Sequence, residues 1–364
     1  MNNTSLVTNG TFGIDGVWQR YPSLQLLLDE FRPGINDMRM VLPIVWLVIG
    51  IPGNCLAIFT WTRPRLRSSS GFFLAAVAIS DLGNQLVRLL FLIGRASGVA
   101  IFGAPVVCQL SAVTFTSFQY NHVLLVTAFS VERYLVIRDP LNSRSLDRER
   151  HTKRHIALLV AASTCVALVQ AYFYTYDSFR GCTLRESVKR GGAWSVFSVW
   201  SWSSELLFFG ALPVGVLVIN SLLIRIIARR DTSSVFASST SSRKTDEEQP
   251  MSVAGSSCRS ETKRKRSHVK NVTLLCVSFY TILCELPVTI VHCLEESIQP
   301  GDYGSTDAQI RNDAAWQSFL DYRATRYIVE NIAASHYAVG FYISLATMET
   351  FRQELKRGLT SRRV

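Results

Sequence analysis

Seven stretches of mostly apolar residues alternate with polar segments along the chain. A helix needs about 20 consecutive apolar residues to cross a hydrocarbon core about 30 Å thick, and each stretch is about that long. The predicted membrane spans are residues 40–62, 70–93, 108–137, 155–176, 203–228, 270–293 and 326–348. Acidic or histidine side chains interrupt the fifth span at Glu205 and the seventh at Glu330 and His336. The pattern predicts an all-α membrane protein, a bundle of seven transmembrane helices.

Positive charge is distributed unevenly between the segments that join the spans. With the N-terminus outside, the predicted cytoplasmic segments hold 25 of the 38 lysine and arginine residues, which agrees with the positive-inside rule. The net charge of +11 follows from this bias. These residues are divided between short loops and form no continuous basic stripe, so we expect no nucleic-acid partner.

The remaining segments define the domain organisation. We expect an extracellular segment 1–39, a membrane bundle 40–348 and a cytoplasmic tail 349–364. Within the bundle, residues 229–266 are rich in serine and charge, and this composition predicts a disordered cytoplasmic loop. The long extracellular loop 294–325 mixes charged and aromatic residues and is predicted to fold over the outer face as a lid.

Covalent modification is expected on the extracellular side. Cys108 and Cys182 alone occupy extracellular loop positions, so they are the candidate disulfide bond. Asn2, Asn3 and Asn9 each begin an Asn-x-Ser/Thr sequence, which an extracellular location would open to glycosylation.

The third span carries the most specific motif. It begins at Cys108, ends in Glu132-Arg133-Tyr134 and is followed by Pro140-Leu141. At 1.5 Å per residue, the distance from Cys108 to Arg133 is about 37 Å, enough to cross the membrane. This arrangement resembles the rhodopsin-like (class A) G-protein-coupled receptors, and the resemblance extends from about residue 40 to 358.

The resemblance implies a location, partners and a coupling site. The chain would be a multi-pass plasma-membrane receptor with a short amphipathic eighth helix, starting near Phe351-Arg352. Its partners would be an extracellular ligand, a heterotrimeric G protein and the lipid bilayer. Glu132 would restrain Arg133 at rest, and the residues expected in G-protein coupling are Glu132, Arg133, Tyr134, Pro140 and Leu141.

A polar core is expected halfway through the bundle. Asn54 and Asp81 match signatures of the family, where this Asp belongs to a sodium-binding cluster. An Asp in the middle of a membrane is unfavourable unless it is paired or hydrated, and pairing with Asn54 is the simpler alternative. His122 and His336 lie at a similar depth, so we hypothesise that an imidazole replaces part of the sodium site and makes activation sensitive to pH. A histidine that is simply hydrogen-bonded in the core remains the alternative.

The outer half of the bundle indicates the class of ligand. Phe115 stands where monoamine receptors carry an Asp, and Ala334 stands where opsins carry the retinal Lys. Three acids on different spans face a single nearby base, which suggests a cationic group on the ligand. The expected pocket residues are Arg88, Phe115, Glu205, Glu285 and Glu330.

Several switch residues of the family are replaced. The segment Gly340-Phe341-Tyr342-Ile343-Ser344 stands in place of Asn-Pro-x-x-Tyr, and Ser221 replaces a tyrosine of the fifth span. Glu285 occupies the place of an aromatic residue two positions before Pro287.

We therefore predict a G-protein-coupled receptor for a neuropeptide with a basic group. A non-coupling scavenger receptor or heterodimer subunit remains open, and a proton-coupled transporter is a further alternative. No enzyme motif is present in the sequence, and neither a cofactor nor a metal site is expected.

Overall fold

The structure, a computed structural model, describes residues 16–97, 104–138, 148–177, 181–241 and 254–360. Its first half contains α1 (Val17–Arg20), α2 (Leu24–Phe31), α3 (Ile35–Trp61), α4 (Ser69–Ser97), α5 (Pro105–Arg138), α6 (Arg148–Ala167), α7 (Val169–Phe173), β1 (Tyr174–Asp177) and β2 (Gly181–Leu184). Its second half contains α8 (Glu186–Lys189), α9 (Val196–Ser204), a π-helical segment (Glu205–Ala211), α10 (Leu212–Ser241), α11 (Ala254–Cys293), α12 (Asp307–Asn312), α13 (Ala314–Ala333), α14 (His336–Thr347) and α15 (Glu349–Thr360).

Seven spans form the bundle. The first three are α3, α4 and α5, the fourth is α6 with α7, and the fifth runs from α9 through the π-helical segment into α10. The sixth is α11, and the seventh is α13 with α14. Five of these spans are long and apolar enough on their own to cross a membrane, and the third and seventh are not among them. The third span is polar because it lies at the centre of the bundle, where it buries Ser117, Asn121 and His122.

Three spans deviate from regular helix at positions that matter for the core. The fifth has its π-helical segment immediately before Pro213, and the sixth contains Pro287 inside α11. The seventh breaks at residues 334–335, between α13 and α14. Proline removes a backbone donor and π-bulges widen the turn, so these are points at which a helix bends.

The disulfide bond predicted between Cys108 and Cys182 is confirmed. Strands β1 and β2 form an antiparallel hairpin in which Tyr176 is opposite Cys182. Cys182 is bonded to Cys108 at the outer end of the third span, with their Cα atoms 5.4 Å apart. The second extracellular loop is thereby held against the outer end of the bundle.

The segment that joins the sixth and seventh spans packs against the N-terminal helices in what we call the outer cap, residues 17–31 and 295–320. The buried side chains of the cap are Val17, Leu24, Leu27, Leu28, Phe31, Ile310, Trp316, Phe319 and Leu320. Ion pairs join the same two segments, from Arg20 to Asp307 at 3.2 Å and from Arg311 to Glu30 at 2.9 Å. The loop is therefore folded, as the aromatic residues in it suggested, and its partner is the N-terminal segment.

Two predicted loops are more helical than their sequences suggested. The seventh span begins at Ala314 rather than near residue 326, because Asp313 caps the helix by accepting from the Ala315 backbone N–H at 2.8 Å. The sequence predicts a disordered loop at 229–266, whereas α10 extends through residues 229–241 and α11 through residues 254–266. An existing helix grows without a new nucleation step, so each added residue gains a hydrogen bond at little cost.

The cytoplasmic end closes with the predicted eighth helix. Helix α15 is amphipathic and buries Phe351 against Trp61 of the first span, with ring centroids 4.9 Å apart. Some predicted residues lie outside the described parts of the chain, namely Asn2, Asn3, Asn9, Pro140 and Leu141.

Candidate functional site

Asp81 and His122 form a buried pair in the middle of the bundle. Asp81 lies on the second span and His122 on the third, and His122 Nδ1 is 2.6 Å from Asp81 Oδ1. The two side chains are only 2% and 1% exposed. The other ring nitrogen of His122 lies 3.5 Å from the Thr281 hydroxyl of the sixth span. A carboxylate at this depth is stabilised by a ring N–H that donates to it.

Asn54 has partners other than Asp81, so the alternative pairing of these two residues is wrong. Its side-chain nitrogen donates to the Tyr337 backbone oxygen at 2.8 Å and approaches the Gln85 side-chain oxygen at 3.4 Å. The Gln85 side chain lies against the first span at Gly50. Any residue with a Cβ atom at position 50 would clash with it, because that atom would lie 1.9 Å from the Gln85 side-chain nitrogen. Asn54 thus ties the first span to the seventh, next to His336.

His336 faces Glu285, which the sequence placed in the ligand pocket. His336 Nε2 is 3.1 Å from Glu285 Oε1, and the side chains are 2% and 6% exposed. His336 Nδ1 lies 2.6 Å from the backbone oxygen of Ala333. The rings of His336 and His122 are 4.8 Å apart. Glu285 therefore belongs to the polar core, and Asp81, His122, His336 and Glu285 form a continuous line across four spans.

Arg88 and Phe115 form one wall of the outer half of the bundle. The Arg88 guanidinium lies over the rings of Phe115 and Tyr337, 5.1 and 5.7 Å from their centroids. Its Nε–H donates to Asn84 at 2.8 Å. Among the described residues Arg88 forms no ion pair with any of the three acids.

The predicted surplus of acid in the pocket is largely removed by bases on the seventh span. Glu330 accepts from Arg326 Nε at 2.7 Å, and Glu285 faces His336. Within the described parts of the chain, only Glu205 of the three pocket acids lacks an ion pair. The sequence predicts Arg326 as the first residue of the seventh span and counts Arg88 as the base near the three acids.

Arg326 also belongs to a charged cluster at the extracellular ends of the sixth and seventh spans. Glu295 lies 2.6 Å from Arg326 and 3.2 Å from Arg323, and 3.6 Å from His292. Burial alone would raise the pKa of Glu295, but the charges of Arg326 and Arg323 outweigh it and hold that pKa below its ordinary value. The cluster fastens the outer ends of these two spans to each other.

At the end of the bundle opposite the disulfide, Glu132 and Arg133 are in contact. Arg133 Nη2 lies 3.2 Å from Glu132 Oε2. The other oxygen of Glu132 accepts from Ser69, which is in turn 2.7 Å from the Thr152 hydroxyl. The second and fourth spans therefore hold Glu132 in place beside Arg133, the geometry expected of a resting restraint. The adjacent Tyr134 has its hydroxyl 3.5 Å from Arg138.

Comparison with known proteins decides the family. Residues 53–320 match the sequence profile described as "7 transmembrane receptor (rhodopsin family)". The chain belongs to the rhodopsin family of seven-transmembrane receptors.

The receptor is similar along most of its length to growth hormone secretagogue receptor type 1 of Mus musculus, with 27% identity over 95% of this chain and 91% of that protein. It shares 36% identity with the motilin receptor of Homo sapiens over 45% of this chain and 40% of that protein. It shares 27% identity with somatostatin receptor type 5 of Bos taurus over 66% of this chain and 62% of that protein. The receptor is thus a multi-pass membrane protein, and these relatives are named for growth hormone secretagogues, motilin and somatostatin.

Proposed function

We propose that this receptor binds a peptide from the extracellular side and activates a heterotrimeric G protein at the plasma membrane. The observation that carries the proposal is the third span, which joins the disulfide at Cys108 to the Glu132–Arg133 pair at its other end. Ligand binding would shift an equilibrium between resting and open bundles. In the open bundle Arg133 leaves Glu132 and meets the G protein.

Ligand-stimulated nucleotide exchange tests this function. We would screen a peptide library with the receptor expressed beside a G protein of broad receptor specificity, and then measure exchange on purified receptor. Glu132→Gln should raise basal exchange, because an amide attracts the guanidinium less strongly than a carboxylate does. Glu349→Gln, on the exposed side of α15, is the matched control. Unchanged basal exchange in Glu132→Gln at equal surface expression would contradict the role of Glu132.

We further propose that Glu205 receives a basic group of the peptide. Glu205 begins the π-helical segment of the fifth span, and it is the pocket acid that no described base pairs. Glu205→Gln should lower the potency of peptides that carry Lys or Arg and spare analogues with a neutral residue there. Equal loss for both kinds of peptide would assign Glu205 a structural role instead.

A receptor that binds its peptide without coupling is the second candidate. It is favoured by Ser221 and Ser344, which stand near the cytoplasmic end where the family has tyrosines. Each serine hydroxyl donates to a backbone oxygen of its own helix, at Leu217 and Gly340 respectively. Peptide binding without any stimulated exchange would support this candidate.

A further inference from the structure

The sixth and seventh spans meet in the core through two buried ionisable side chains, Glu285 and His336. Each lies where its own span bends. Glu285 precedes Pro287 by two residues, and His336 is the first residue after the break between α13 and α14. The Tyr280 hydroxyl also reaches Ser335 at 2.7 Å, so contacts between the two spans concentrate at this level.

The hydrogen bond at Nδ1 of His336 determines how many protons the contact between Glu285 and His336 must hold. His336 Nδ1 faces the Ala333 carbonyl, which can only accept, so Nδ1 carries a proton. In a neutral ring Nε2 is then an acceptor, and it would be repelled by an ionised carboxylate 3.1 Å away. One further proton must therefore lie on the pair, either on Glu285 or on Nε2, and the pair is neutral in both cases.

The contact is close but poorly aligned. Nε2 of His336 and Oε1 of Glu285 are 3.1 Å apart, but their relative orientation is too bent for a hydrogen bond. A contact that is buried and electrically neutral but bent is weaker than a linear bond, because hydrogen bonds weaken steeply with angle. Small rotations at the two bends can therefore make it or break it.

The pair also connects to the backbone of the fifth span and to the rest of the core. The Thr289 hydroxyl lies 3.0 Å from the Phe209 carbonyl in the π-helical segment and 3.3 Å from the Glu285 carbonyl. On the other side, the His336 ring lies beside His122, which is paired with Asp81. A movement of the fifth span at the level of the ligand pocket can therefore reach Glu285 directly.

We propose that Glu285 and His336 form a proton-bridged latch that holds the sixth and seventh spans together in the resting receptor and opens on activation. The proposal rests on the proposed function, since it describes how the same receptor passes its signal inward. Glu285 occupies the place of the aromatic residue found in the family, so the latch supplies a polar switch at a position that lacks the aromatic one.

The test measures the conformation of the receptor without ligand or G protein. Spin labels at the cytoplasmic ends of the third and sixth spans report the populations of closed and open bundles in lipid nanodiscs. His336→Ala and Glu285→Ala should each raise the open-to-closed ratio by about tenfold or more, because a buried pair that loses one member destabilises the state that contains it. The double variant should open no further than the single variants, since all three remove one contact.

Two further variants separate a latch from a merely structural contact. Glu285→Gln should stay close to the unmodified receptor, because its amide N–H can donate to Nε2 without an added proton. If the alanine variants do not purify, the double variant Glu285→Leu/His336→Leu fills the core and should still shift the ratio. Glu186→Gln, in an exposed pair with Lys189 at 3.2 Å, is the control and should change nothing.

Unchanged populations in folded His336→Ala and Glu285→Ala would overturn the proposal, and so would additive effects in the double variant. Loss of thermal stability without a change in the ratio would also overturn it, since that is the result expected of a structural pair. These outcomes do not depend on coupling: a receptor that binds peptide without activating a G protein can still show the shift. Absence of stimulated exchange alone would count against the proposed function and leave the latch standing.

Discussion

The outer cap should come apart when Trp316 is replaced by alanine. Trp316 is fully buried among the cap residues, its indole N–H donates to the Asp302 carbonyl at 3.1 Å, and its ring meets Phe319 at a centroid distance of 5.9 Å. Removal of a buried Trp side chain typically destabilises a packed core by about 3–5 kcal/mol. The cap is small and has one hydrophobic cluster, so this loss is a large part of what holds α2 against the loop.

Hydrogen exchange measured by mass spectrometry reports the local stability of each segment of the cap. Since about 1.4 kcal/mol corresponds to a factor of ten, a loss of about 3 kcal/mol should speed exchange in α2 and α12 by about 100-fold, where exchange follows local opening. Helix α4 should keep its protection. Trp194→Ala is the matched control, because that indole is 87% exposed in the second extracellular loop. Equal exchange in α2 for Trp316→Ala and Trp194→Ala would refute the idea that the cap is a cooperative unit.

Three further predictions concern the core, the charged cluster and the disulfide. His122→Ser should flatten the dependence of agonist affinity on pH between about pH 6 and 8 and restore a dependence on sodium, because Asp81 loses its imidazole partner; affinity that is the same in both proteins across both titrations would reject this. The pKa of Glu295 is depressed, so its ion pairs with Arg326 and Arg323 stabilise the outer ends of the two spans fully at pH values above the ordinary carboxyl pKa. This stabilisation is lost as the pH falls through the lowered pKa. Glu295→Gln should therefore lower the melting temperature at pH 7 more than at pH 4, whereas an equal change at both would contradict the assignment. Cys182→Ser removes the disulfide bond between two residues with a sequence separation of 74. This should destabilise the receptor by about 2–5 kcal/mol and reduce its surface expression. Thermal unfolding that matches the unmodified receptor would contradict this.

Contacts set by position along one helix could be predicted from the sequence. The disulfide followed from the sidedness of the cysteines. The constant rise of a helix gave the depth of His122 on the third span, and the resemblance to the family put Asp81 at a similar depth. Seven spans were also predicted, although hydropathy supports five on its own. The third span escapes that criterion for a physical reason: a helix surrounded by other helices can carry polar residues that lipid would not tolerate.

Contacts that depend on where a helix begins or bends could not be predicted in the same way. The predicted seventh span starts at Arg326, twelve residues after the observed start of α13, so this base was not counted in the pocket. The break at residues 334–335 turns His336 towards Glu285, and no local sequence signal such as proline or glycine announces it. The cap is a further case, since the pairing of the N-terminal helices with residues 295–320 is a long-range choice made by shape and charge.

The replaced switch residues fall into two groups that have different consequences. The hydroxyls of Ser221 and Ser344 donate to backbone oxygens of their own helices, so neither serine connects its span to another. Glu285, by contrast, has acquired a partner in His336, and that pair continues through His122 to Asp81. A buried carboxyl group is unfavourable without a partner, so Glu285 and His336 should be lost or kept together. With the proposed latch, the ligand side of the switch is polar, while the restraint near Arg133 is expected from Glu132, so coupling and core rearrangement need separate measurements.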